Sequence, residues 1–541
     1  MSDMKMNAGA GTTQEISQSS SAAEVALHAI ERLVLFAHEH TLIEDTDMDY
    51  SRNQLLSLFQ FDEPFAGKVD KSELSGPQSV LDVLIDYGVQ IGLIPDNTDT
   101  YRDLLDAQIM GLLMARPSEI IREFRENETK GGIQAATDRF YQLSIDSNYI
   151  RMERVKKNVY WKQSTEYGDM EITINLSKPE KSPKEIAMAK LLPPPVYPKC
   201  QLCRENVGYR GRINHPARQN LRTIPLTLNQ EKWLFQYSPY VYYNEHCIIF
   251  HHDHVPMKLT KDTLRRLLGF VDQYPHYFIG SNADLPIVGG SILTHDHFQG
   301  GRHTFPIQKA VQEALFTSEK SPEVQLSLVK WPMSVLRLTS NNSDALLETG
   351  NEIYEAWKGY SDAAVDILSH TEQNGEQIPH NTVTPIVRRT ADGQYEMDLV
   401  LRNNRTNSEY PDGIFHPHPE MHHLKKENIG LIEVMGLAIL PGRLKEELDL
   451  IAEMMAGNDE LREQTLTNEN SDLFKHKVWI EELTGKYGTS LSKEEAVNRV
   501  QEEAGIKFAQ ILEHAGVYKR DEAGKEAFRR FVQHVGFTEK N

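Results

Sequence analysis

Between Cys200 and about Arg443 the chain changes character. Short apolar runs (CIIF, YFIG, LPIVGGSIL, MDLVL and NIGLIEVMGLAIL) alternate there with clusters of His, Gly and Pro, while both flanks carry apolar residues at helical spacing. Short runs bounded by turn formers fit strands, and a 3.6-residue period fits helices. The chain is therefore expected to be α+β: a sheet-rich core with a helical N-terminal region and a helical C-terminal tail.

The flanks divide further. Residues 22–60 and 79–126 read as helices, with Ser118 placed to cap a new one. EITINLS (171–177) alternates like a half-buried strand, and LLPPPVYP (191–198) reads as a linker. The first twenty residues are rich in Ser, Thr and Gly and are expected to be disordered. This gives residues 1–20 as a disordered N-terminus, 21–190 as a mainly helical region, 191–443 as the catalytic core and 444–541 as a helical tail. A chain of 541 residues exceeds what one compact core accommodates.

Charge narrows the function. The formal net charge of -20 repels nucleic acid and anionic membranes, and no run approaches the roughly 20 apolar residues of a membrane span. Local basic groups still permit a small phosphorylated ligand. Cys200, Cys203 and Cys247 are the three cysteines, too few for a disulfide framework, so a reducing cytoplasm fits.

The most distinctive stretch is THDHFQGG, Thr294 to Gly301, at the end of DLPIVGGSIL. Read as one strand, it turns His295, His297 and Gln299 to one face and Asp296 and Phe298 to the other. Gly289, Gly290, Gly300 and Gly301 flank the array and would let a ligand approach the backbone. Neutral imidazoles at such positions can hold a metal or attack phosphorus. The same pattern could also be an exposed polar strand end.

DLPIVGGSILTHDHFQGG resembles the signature of the class II, mainly bacterial, galactose-1-phosphate uridylyltransferases. MGLLMARPSEIIREF, YPKCQLCRENVGY, HPARQNLRTIPL and HPHPEMHHLKKENIGLIEVMGLAILPGRL resemble the same class. The resemblance implies a histidine-triad-like core with His297 as nucleophile. It also implies Gln299 in place of the third histidine, donating its amide to a phosphate oxygen. The implied reaction moves UMP from UDP-glucose to galactose 1-phosphate through a uridylyl-histidine. No organic cofactor is implied, and a homodimer is compatible.

Cys200-x-x-Cys203 can be half of a tetrahedral zinc site. By the resemblance its partners are His254 and His295, with zinc in a structural role. The alternative is a pair of free thiols at a turn. His416, His418, His422 and His423 form a second histidine cluster, either a metal site or a polar loop pinned by Pro417 and Pro419. Glu433, inside an apolar run expected to be a strand, is a candidate for sugar hydroxyls or an edge residue. Arg218, Arg222, Arg302, Asn282 and Ser291 are candidate phosphate or ribose contacts, and Cys247 is expected in the core. The rival readings are a dinucleoside-polyphosphate phosphorylase or histidine-triad hydrolase, and a non-catalytic zinc-binding regulator.

Overall fold

A computed structural model describes residues 11–69, 74–177, 196–290 and 292–540, with backbone alone for 11–21. Residues 1–10 of the expected disordered N-terminus and 191–195 of the expected linker (191–198) lie outside the described residues, whereas 11–20, also expected to be disordered, open the first helix. The chain forms two compact units.

The first unit comprises residues 1–156, 179–225 and 234–240. Its helices are α1 (Gly11–Glu39), α2 (Met48–Phe59), α3 (Gln78–Gln90), α4 (Asp99–Leu112) and α5 (Pro117–Asp146). Their apolar stripes supply Ile30, Leu33, Leu55, Leu81, Leu84, Ile109 and Met110, all buried. Ser118 is not the cap expected for α5. The helix opens on Arg116-Pro117, and the Arg116 backbone N–H is bonded by the Glu119 carboxylate at 3.0 Å. Proline at the first helical position has no N–H to satisfy, so a cap one residue later is not needed.

The second unit holds the sheets. β1 (Val159–Thr165), β2 (Gly168–Ile174) and β15 (Leu437–Leu440) make a three-stranded sheet in that order. The large sheet uses β3 (Ile224–Leu228), β4 (Glu231–Tyr237), β5 (Cys247–His251), β6 (Phe278–Gly280), β7 (His297–Gly301) and β8 (Gln312–Thr317). It continues with β9 (Gln325–Val329), β10 (Val335–Ser340), β13 (Asn381–Arg389), β14 (Tyr395–Asn403) and β16 (Thr538–Glu539). A hairpin of β11 (His370–Gln373) and β12 (Glu376–Pro379) stands apart. The order in the large sheet is β16-β8-β9-β10-β14-β13-β6-β7-β5-β4-β3. Its ladders from β16 to β5 are antiparallel. Residues of β3 and β4 fall in both units.

Helices α6 (Lys261–Gln273), α7 (Ser343–Gly359), α8 (Arg443–Met455), α9 (Lys493–Ala515) and α10 (Glu522–His534) accompany these sheets. The charged tail is amphipathic. Leu448, Ile451, Phe508 and Ile511 join Met170 and Ile172 of β2 in one buried cluster, and the Trp161 indole N–H bonds Gln501 O at 3.0 Å. The α+β expectation holds.

Two expected strands do not form. LPIVGGSIL is irregular: an isolated bridge joins Ala283 to Gly289, and a Cβ at Gly289 would lie 2.6 Å from the carbonyl oxygens of Ala283 and Leu285. The glycine folds the run back on itself, and β7 begins only at His297. NIGLIEVMGLAIL splits into a helical turn, Leu431–Val434, and β15, with Gly436 at φ +97 between them. An apolar run buried on all sides carries no period that separates helix from strand.

Candidate active site and metal centre

β7 is a central strand, paired with β5 on one side and β6 on the other. Phe250 stands opposite His297, Ile248 opposite Gln299, and Gly280 also opposite Gln299. Alternation along β7 puts His297 and Gln299 on one face. Phe298 faces the other way and stacks on Trp233, with ring centroids 4.8 Å apart. Asp296 is buried, and that burial raises its carboxyl to about 6 against the opposing influence of Arg266 and His251.

Three glycines near the array are explained by the protein's own packing. A Cβ on Gly300 would meet Phe278 O at 2.7 Å, and one on Gly290 the Asn282 amide at 2.6 Å. Gly301 has φ +152, and a Cβ there would meet Glu245 O at 2.7 Å.

The His297 ring is buried, and burial pushes its pKa down to about 4. Its Nδ1 lies 2.9 Å from the backbone oxygen of His295. A carbonyl only accepts, so Nδ1 carries the proton and Nε2 the lone pair. Gln299 is half-buried, and its Oε1 lies 3.2 Å from Nε2 of His246, a residue the sequence reading did not single out.

His295 precedes the strand and is fully buried. Its Nε2 lies 2.8 Å from His251 O, which leaves Nδ1 as the donor for an ion. Its ring stands 4.9 Å from that of His254. The sulfurs of Cys200 and Cys203 are 3.5 Å apart. Asn206 donates to the carbonyls of both cysteines, at 2.9 and 2.7 Å, and its Oδ1 accepts from His215 Nε2 at 2.7 Å. Cys200 and Cys203 fall in the first unit and His254 and His295 in the second, and each pair by itself offers two donors of the kind a zinc site uses. Two sulfurs and two imidazole nitrogens are a donor set whose chemistry suits tetrahedral zinc. Burial pushes the Cys200 thiol up to about 12, so a thiolate there requires a cation beside it. Cys247 is fully buried, as expected of a core residue.

The remaining candidates scatter. Arg222 is buried and spends its guanidinium on the carbonyls of Ala115, Gln219 and Leu221, and burial lowers its pKa to about 10. Arg218 lies over the Tyr149 ring at 5.6 Å and donates to Ala217 O. Arg302 is paired to Glu245, with Nε at 2.7 Å. Asn282 accepts the Leu431 N–H at 2.9 Å. Glu433 is neither in a strand nor alone: Lys425 bonds it at 2.9 Å and the Gly430 N–H at 3.1 Å. Ser291 lies outside the described residues.

The second histidine cluster does not stay together. His423 pairs with His476, their Nδ1 atoms 2.8 Å apart, and the rings of His416 and His422 meet edge-on at 6.4 Å. His418 stacks on His514 at 4.1 Å, and these two offer ligand atoms within 4.8 Å of each other and of the exposed Glu420.

No described helix is long and apolar enough to cross a membrane. Two family models match the chain: the galactose-1-phosphate uridyl transferase N-terminal domain over residues 41–256 and its C-terminal domain over 270–469. A galactose-1-phosphate uridylyltransferase of Caldanaerobacter subterraneus subsp. tengcongensis is 57% identical over 514 residues, covering 95% of this chain and 98% of the relative. That of Halalkalibacterium halodurans is 51% identical, covering 93% and 97%, and that of Bacillus subtilis 50% identical, covering 94% and 97%. With both halves matched and half of all residues shared along nearly its whole length, the chain belongs to the galactose-1-phosphate uridyl transferase family.

Proposed function

We propose that the protein transfers UMP from UDP-glucose to galactose 1-phosphate, in the cytoplasm, with His297 as nucleophile. The observation that carries this reading is the bond from His297 Nδ1 to His295 O. It fixes the tautomer in which Nε2 holds the lone pair, and among the described residues no protein group bonds Nε2.

Nε2 attacks the α-phosphorus of UDP-glucose. The P–N bond forms as the bond to the bridging oxygen breaks, and glucose 1-phosphate leaves with the electron pair. A phosphate oxygen of galactose 1-phosphate then attacks the same phosphorus and the P–N bond breaks, giving UDP-galactose and restoring the imidazole. Both leaving groups are stable anions, so neither step needs a general acid. The task left to the protein is to place the reactants and stabilise charge on the non-bridging oxygens. The Gln299 amide, on the same strand face, is the donor for that charge.

Cys200, Cys203, His254 and His295 hold a structural zinc in this reading. Bound there, the zinc would be held by four protein ligands and would leave no open position for substrate. Its role would be to anchor His295, whose carbonyl orients the nucleophile. The catalytic residues fall within 191–443, and the chain is compatible with a homodimer. Arg218, Arg302, Gly289, Gly290 and Ser291 remain proposed substrate contacts. For Asn282, Arg222 and Glu433 the bonds described above favour a supporting role around the pocket.

Label exchange tests the reading. Labelled glucose 1-phosphate should enter UDP-glucose with no second sugar present, because the first half-reaction reverses by itself. Absence of exchange in an enzyme active with both sugars would exclude a covalent intermediate.

A further inference from the structure

Gln299 can serve a phosphate only if its amide is held with the NH2 end outward. A free glutamine rotates about its last torsion and presents oxygen as readily as nitrogen. We infer that His246 is the positioning residue that holds it, donating its Nε2–H to Gln299 Oε1. This inference rests on the role proposed for Gln299 and adds a residue to it.

The geometry carries the assignment. His246 Nε2 and Gln299 Oε1 are 3.2 Å apart. Oε1 only accepts, so Nε2 carries the ring proton. The amide nitrogen of Gln299 has no protein acceptor among the described residues and is left for a ligand.

His246 itself is held from several sides. Its ring lies 4.6 Å from that of Tyr243 and 5.4 Å from that of Tyr242, and its backbone N–H bonds Tyr243 O at 3.2 Å. The preceding residue, Glu245, is buried and fixed by Arg302 and by the Tyr277 hydroxyl at 2.5 Å. The next residue, Cys247, begins β5 and pairs with Gly300, adjacent to Gln299.

The other ring nitrogen of His246 points to a functional reason. Nδ1 is buried with no hydrogen-bond partner among the described residues. A buried unsatisfied nitrogen is a standing cost, and an apolar ring among these tyrosines would avoid it. The cost is understandable if Nε2 is needed. Burial also lowers the His246 pKa to about 3, so the ring stays neutral and its single proton stays on Nε2 across the physiological range.

The test is a double-mutant cycle on the full enzyme, reading kcat and the KM for UDP-glucose, with melting temperature as a check. His246→Leu should lower kcat by about tenfold or more while leaving that KM within about twofold, since only charge stabilisation in the transition state is weakened. His246→Gln, whose amide nitrogen sits near the Nε2 position, should recover most of the loss. Combined with Gln299→Ala, His246→Leu should cost nothing further. The inference is overturned if the two losses multiply, if His246→Leu keeps wild-type kcat, or if His246→Gln melts normally yet is as slow as His246→Leu. Should His246→Leu not fold, His246→Asn, whose shorter amide cannot reach Gln299, takes its place in the cycle with the same expected outcomes. A Gln299→Ala enzyme with unchanged kcat would remove the role of Gln299 as well. A slow Gln299→Ala beside a normal His246→Leu would remove only that of His246.

Discussion

The ring of His297 is bonded through Nδ1 to the backbone carbonyl of His295, 2.9 Å away and two residues earlier in the chain. The ring of His295 in turn stands 4.9 Å from that of His254, its partner in the proposed ligand set. One short segment thus joins a candidate metal ligand to a candidate nucleophile through a single carbonyl.

The first prediction removes the nucleophile. His297→Gly should abolish overall turnover while UDP-glucose still binds, because the ring is the reacting group and not the main contact. Calorimetry should show binding within a few-fold of wild type. A uridine 5′-phosphoimidazolide donor should restore transfer to galactose 1-phosphate, since the cavity accepts the missing ring. Normal turnover of the variant with UDP-glucose would remove His297 from its role.

Gln299→Ala should reduce kcat by roughly 10²–10³-fold, the cost of deleting one donor to a developing oxyanion. Covalent labelling by UDP-glucose should persist, only slower. Rapid-quench measurement of the first half-reaction separates this from a loss of binding.

Metal removal should act on stability first. Purified protein should contain about one zinc per chain, bound by four protein ligands. Chelation, or Cys200→Ser, should lower the melting temperature, and activity should fall in parallel as the segment carrying His295 loosens. Elemental analysis finding no metal in fully active protein would return Cys200 and Cys203 to a plain turn.

Acid should destabilise the second unit through His423, His476 and Glu447. Burial, with help from His476, Lys507, Arg443 and Lys475, holds His423 down at about 3, and burial also lowers His476. The unfolded chain, with histidines near about 6.5, binds more protons than the folded one below that pH, so stability is lost as pH falls from about 6.5 towards 3. Glu447 adds to the same trend. Burial works against its ionisation, but bonds from His476 and Lys475 hold its pKa at about 2, and its contribution is lost as pH falls from about 4.5. Melting temperature should therefore drop steadily below pH about 6. His423→Leu should flatten the upper part of that slope, and an unchanged slope would contradict the assignment.

What the sequence revealed followed from spacing. Residues two apart on a strand share a face, so His297 and Gln299 could be paired from THDHFQGG alone. The Cys200-x-x-Cys203 pair suggests half of a candidate ligand set, and the family resemblance supplies His254 and His295 as the candidates for the other half. Long-range pairing was not legible. Nothing in the sequence ties His246 to Gln299, Lys425 to Glu433, or Arg222 to the Ala115 carbonyl, because these bonds join segments brought together only by the fold. The apolar run before His295 departs from the expected strand for a related reason: its glycine pair serves close backbone packing, which composition does not distinguish from a strand.

The central claim is the covalent uridylyl-histidine on His297. Enzyme incubated with UDP-glucose labelled in the α-phosphate, without galactose 1-phosphate, should be quenched in alkali, digested and mapped. The account predicts label, close to one per active chain, on the peptide containing His297, and its complete discharge into UDP-galactose when galactose 1-phosphate is added before the quench. Label on any other residue, or full activity with no label trapped at any time, would contradict it.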